Sequence, residues 1–109
     1  MEQKAVSVDD MAFDIKKPDI ERLQIAAHST RLCILPSLHN EGSYAAKLGQ
    51  QLHIERKVVA FHLAELEKVG LVEAKYALNQ DKRPVAVKYY KITPKGKYIH
   101  QHVVDIANK

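Results

Sequence analysis

Arg56 and Lys57 stand side by side where a stretch of helical period begins, and the residues placed three and four positions beyond them set their chemistry. Val59, Leu63 and Leu66 fall on one side, with His62 beside them. Arg56, Lys57, Ala60, Phe61 and Ala64 fall on the outer side. A cationic start on an exposed helix face suits a polyanion. A guanidinium bonds both acceptors of a guanine edge at once, and an α-helix fits the major groove of DNA. A lysine there equally serves a phosphate, which fixes register without reading sequence. Phe61 has two open readings: contact with thymine methyl groups, or packing against the hairpin or the first helix of the motif.

A second cationic group lies downstream. Residues 82–98 hold Lys82, Arg83, Lys88, Lys91, Lys95 and Lys97 with no acidic side chain, whereas residues 1–21 hold six acids and three bases. A local block of that sign is an electrostatic footprint for nucleic acid, against the plainer reading of a solvated surface. Lys82 and Arg83 fall in a polar turn, placed to reach a minor groove or backbone, and Lys88 comes next on the return strand. Ser43, Tyr44 and Lys47 open a further helix, whose free N–H groups are a natural phosphate seat.

Other chemistry is weaker. His102 and Asp105 share a helix face and His100 points elsewhere, so these three make a metal site only with a second chain's help; a polar outer face is the plainer reading. Cys33, the one cysteine, sits inside Leu32-Cys33-Ile34-Leu35 and reads as a small buried apolar residue. No phosphate loop, zinc-protease pair or nucleophile elbow is present, so the reading is not an enzyme and needs no cofactor. No apolar run approaches the ~18 residues of a membrane span and there is no signal-peptide pattern, which implies a cytoplasmic protein with no membrane partner.

These residues need a scaffold. The chain has 109 residues, 46% of them apolar, which suffices for one core. Residues 1–17 lack a period and read as a flexible arm, leaving 18–109 as the domain. Pro18, Ile20, Leu23 and Ala27 predict a first helix over 18–27. Ser29 is expected to cap a second, with Leu32, Leu35 and Leu38 inward and Pro36 kinking or shortening it. Ser43 is expected to cap a third over 44–52, with Ala45, Leu48, Gly49 and Leu52 inward. Gly49 signals a close contact. His53 takes the turn, where positive φ is common. A fourth helix over 55–69 ends at Gly70. Residues 71–78 and 85–92 read as a hairpin around the turn 79–84. Thr93 then caps a final helix that begins at Pro94 and carries Tyr98, Ile99, Val103 and Ile106 as a stripe.

Three stretches carry a resemblance. His28-Ser29-Thr30-Arg31-Leu32-Cys33-Ile34-Leu35 resembles the opening of ArsR-type winged-helix regulators. Residues 59–72 are similar to their recognition helix and following strand, and Tyr89-Tyr90-Lys91-Ile92-Thr93-Pro94-Lys95-Gly96 looks like a wing entering the last helix, as in archaeal regulators of this type. The resemblance covers about residues 19–107. It implies a mainly α winged helix-turn-helix of five helices with a two-stranded wing. It also implies a homodimeric repressor on a palindromic operator in double-stranded DNA. Its first and last helices would form the dimer interface, through Ile20, Leu23, Tyr98, Ile99, Val103 and Ile106. The Cys-x-Cys pair of the thiol metal sensors is missing from Gly42-Ser43-Tyr44-Ala45-Ala46, which argues against that site. The effector is left open. A protein-binding adaptor with the same fold is the alternative, though it has no need of Arg56, Lys57, Lys82 and Arg83 together.

Overall fold

The computed structural model describes residues 17–79 and 85–108. The arm ahead of residue 17 lies outside the described residues, as do the turn residues 80–84 with Lys82 and Arg83. Among the described residues no helix is long and apolar enough to cross a membrane.

Pro18 lies in the first turn of α1 (Lys17–Ala26), where its missing N–H leaves no helical bond unmade. α2 (Ser29–Ile34) is short because Pro36 cannot extend it, and Leu35–Leu38 continue as a 3-10 turn with that proline at its start. The cap of α2 is His28 and not Ser29: the His28 ring nitrogen Nδ1 accepts the Thr30 N–H at 3.1 Å. Cys33 is exposed, contrary to the expectation of a buried thiol. Arg31, Ile34, Leu35 and Leu38 face inward, and that helical phase turns residue 33 out and leaves Leu32 half-buried.

α3 (Ala45–Leu52) and α4 (Arg56–Lys68) form the helix-turn-helix. Leu48 and Gly49 are buried, and Ala45 and Leu52 pack at the edge of the core. A Cβ on Gly49 would lie 2.7 Å from the Ile54 carbonyl oxygen, so the turn passes this close only over a glycine. His53 ends α3 at φ 58° and ψ 44°, the left-handed conformation expected of it. Ser43 does not cap α3. Its backbone pairs with Tyr90 in both directions, at 3.0 and 2.7 Å, which makes it a one-residue third strand on the edge of the hairpin. Tyr44 stands at the cap position without a side-chain bond.

Along α4 the buried residues are Val59, His62, Leu63 and Leu66, the spacing read from the sequence. The helix closes with the Gly70 N–H on Glu67 and the Leu71 N–H on Leu66, both at 3.0 Å, and with Gly70 at φ 78°. β1 (Val72–Asn79) and β2 (Val85–Ile92) then pair antiparallel from Val72–Ile92 out to Asn79–Val85. The base of this wing, at Val72, Tyr90 and Ile92, is buried in the common core. α5 (Pro94–Ala107) starts at a proline and is capped by Thr93, whose Oγ1 accepts the Gly96 N–H at 2.9 Å.

α5 returns against α1 within the same chain. A charge cluster fastens them: Asp19, 5% exposed, meets Arg22 at 2.9 Å and Lys95 at 3.3 Å, while Arg22 Nε donates to the Val69 carbonyl at the end of α4. Burial pushes the Asp19 carboxyl up, but the bonds from Arg22 and Lys95 outweigh it and hold the group below its ordinary value. Ile99 belongs to this core, at 1% exposure, so it cannot reach a second chain, contrary to its expected place at a dimer interface. Leu23 and Val103 pack against the same core, and Ile20, Tyr98 and Ile106 remain exposed.

Candidate nucleic-acid interface

α4 presents its N-terminal end and one long face to solvent. Arg56 and Lys57 are exposed, Ala60 and Ala64 are half-buried, and Phe61 is 56% exposed. Phe61 therefore does not pack into the fold. Its ring stands edge-on to that of its neighbour His62, at 5.3 Å between centroids.

Between α4 and the wing runs a groove whose walls include Tyr44, Ala46, Arg56, Ala60, Ala86 and Lys88. Arg56 lines it from α4 and Lys88 from β2, among the small side chains Ala45, Ala46, Ala60 and Ala86. Lys88 is half-buried, with Nζ 3.4 Å from Glu67 Oε1 and 5.3 Å above the Tyr90 ring. Tyr90 first, then Glu67, raises its pKa, so it stays charged while partly engaged by α4. The Tyr44 ring stands edge-on to Tyr89 at 5.3 Å, which joins the start of α3 to the wing. Lys47 is exposed on α3. Ser43, expected beside them as a contact, is buried at 5%, and its Oγ has no hydrogen-bond partner. Its backbone fixes the edge of the wing, and its side chain does not face solvent.

Sequence reasoning missed the residues behind this face. Arg31 is 7% exposed, and its Nε donates to His62 Nδ1 at 3.0 Å while one terminal nitrogen donates to the Ile25 carbonyl, also at 3.0 Å. His28 packs on His62 with ring centroids 4.6 Å apart. Burial, then the Arg31 charge, then His28 lower the His62 pKa, against a smaller opposing pull from Glu65. His62 is thus neutral, with its Nδ1 lone pair facing Arg31. The only signal in the sequence is that Arg31 shares its helix side with Ile34, Leu35 and Leu38.

The metal candidates are not brought together. His100 turns inward to His39, with Nδ1 and Nε2 3.0 Å apart. His102 meets the Tyr98 ring at 4.5 Å, and Asp105 accepts from Gln101 at 2.9 Å. Among the described residues no three potential ligands cluster.

No family model matches the chain, and no curated protein matches it. Solved structures do. A possible transcriptional regulator for arsenical resistance superposes with a TM-score of 0.59 at 25% identity, over 77% of this chain and 80% of that one. The transcriptional repressor BigR of Xylella fastidiosa gives 0.60 at 19% identity, over 83% and 85%. A homodimeric winged helix-turn-helix DNA-binding domain of Mycobacterium bovis, a possible ArsR-family regulator, gives 0.58 at 20% identity, over 82% and 75%. The narrower likeness to archaeal members has no support among these three. In element order, wing and helix-turn-helix, the chain has the winged helix-turn-helix fold of ArsR- and PadR-type transcriptional regulators.

Proposed function

We propose that the protein is a sequence-specific DNA-binding transcriptional regulator, a homodimeric repressor that binds a two-fold symmetric operator. The observation that carries this reading is the exposed start of α4, where Arg56, with Lys57 exposed next to it, lines a groove that Lys88 also lines from the wing. In this reading α4 enters the major groove. Arg56 bonds a guanine edge or a phosphate, Lys57 and Lys47 hold the backbone, and a strand of phosphates lies in the groove that Arg56 and Lys88 line. Lys82 and Arg83, which the sequence has between the two strands of the wing, reach the neighbouring minor groove or backbone in this reading.

Self-association is supported by the homodimeric neighbour and by the apolar groups left exposed on the paired terminal helices, Ile20, Tyr98 and Ile106. Two copies would set their α4 helices about 34 Å apart, one turn of the duplex, so that occupancy excludes other proteins from that DNA. A binding role without catalysis agrees with neighbours that are regulators.

The test is DNA binding against salt, using the gene's own upstream region and a scrambled duplex of equal length. Preference for the upstream DNA that survives raised salt is the expected result, with a salt slope that counts the phosphates neutralised. Equal and salt-labile binding to both would remove the sequence-specific part. Absence of binding to either would overturn the reading in favour of a protein-binding adaptor.

A further inference from the structure

From Val58 to Ala64 the recognition helix has one polar side chain, His62, and that one is buried against Arg31. The helix Arg56–Lys68 contains no Asn, Gln, Ser or Thr. Of its two carboxylates, Glu65 is held by Lys68 at 2.9 Å and Glu67 by Lys88 at 3.4 Å. Beyond the two leading cations, then, the face has no free group for hydrogen bonding to a base. In place of such groups it has an exposed apolar strip: Val58 at 39%, then Phe61 at 56%, then the half-buried Ala64 and Ala60 on the side of Phe61 away from Val58.

Base edges in the major groove offer few features that such a strip can read. Adenine's paired donor and acceptor call for Asn or Gln, and cytosine's amino group calls for a free acceptor. The thymine C5-methyl group needs only apolar contact, which alanine and phenylalanine both supply. A lone exposed phenylalanine calls for no explanation. This one differs because it shares a helix face with Lys57, one turn away, so a duplex drawn to the cations is brought onto the ring.

Resting on the DNA-binding reading above, we infer that Phe61, flanked by Ala60 and Ala64, is a specificity-determining residue that recognises thymine through its C5-methyl group. A·T pairs in the operator are then read from the thymine side, by a methyl contact, and not through hydrogen bonds to adenine. Lys57 and Phe61 are about 6 Å apart along the helix axis.

The experiment selects tight-binding duplexes from a random pool with the full chain, then replaces each thymine of the selected site by deoxyuridine, one position at a time. That exchange deletes a single methyl and keeps every hydrogen-bonding group. At one or two thymines per half-site, affinity is expected to fall about fourfold, the worth of one buried methyl. Phe61→Ala should bind thymine and uracil equally at those positions, and Phe61→Leu should keep part of the difference. Phe61 is exposed, so both variants should melt with the wild type. A selected site that tolerates uracil everywhere would overturn the inference and leave the DNA-binding reading intact, as would a Phe61→Ala protein that still distinguishes the two bases. Failure to enrich any duplex would overturn both.

Discussion

A guanidinium at 7% exposure has to place its donors inside the protein, and Arg31 places them on Ile25 and His62. Arg31→Leu should therefore lower stability by about 1–3 kcal/mol in urea unfolding, because a carbonyl and a ring nitrogen are left buried without a donor. Burial of the ring that Arg31 bonds sets a pH dependence as well. His62 is held below its ordinary value near 6.5, by burial first and by Arg31 second, and His100 is lowered in the same way by burial and His39. In the unfolded chain both take up protons as pH falls through about 6.5, while in the folded chain they do so only at lower pH. Stability is thus full above that pH and declines as pH drops through the window between the two values. His62→Gln should flatten that decline when Tm is followed from pH 7.5 to 5.5. On the exposed face, Arg56→Ala should lose ~1–3 kcal/mol on a preferred duplex and less on a scrambled one if the side chain reads a base. An equal loss on both would assign it to a phosphate.

At the scale of elements, the turn between α3 and α4 shows best how much of the fold is legible in the sequence. Gly49 and His53 are readable as a close approach and a left-handed residue because each is a local demand of the backbone. Gly49→Ala should destabilise the fold by about 1–3 kcal/mol, since its new methyl would lie 2.7 Å from the Ile54 carbonyl oxygen and the backbone of the turn must shift to admit it. Thermal melting would register that as a lower Tm. Elsewhere the elements are legible and their partners are not. Ser43 looks like a cap because serine before a helix usually is one, yet its backbone answers to Tyr90, 47 positions later in the chain. Ser29 loses the cap to the histidine one place before it. Cys33 lies in an unbroken apolar run, and such a run does not itself say which members face in. The phase comes from Arg31, a residue whose charge argues against burial until its two acceptors are known.

For the molecule as a whole, the sequence conveys the order of elements and the sign of the recognition face, but not how the terminal helices divide their apolar groups. The stripe on α5 reads as one surface for a partner. The fold takes Ile99 into its own core, packs Val103 beside it, and leaves Tyr98 and Ile106 outside. The dimer reading can thus be tested away from the core. Ile106→Asp, at a position 56% exposed, should give monomers in sedimentation at micromolar protein while the melting of the isolated fold is preserved. A wild-type chain that sediments as a monomer would remove the interface altogether.

The corner at Leu71 has a mechanical meaning. The Leu71 N–H closes α4 on Leu66, its carbonyl receives the Thr93 N–H at 3.0 Å, and the Thr93 hydroxyl donates to the Gly70 carbonyl at 2.7 Å. The end of the helix that faces the groove and the start of the helix that ends the domain are therefore bolted through one shared joint. Swivelling either helix against the other about this joint would break those bonds, so the angle between them is set by three hydrogen bonds as well as by the core.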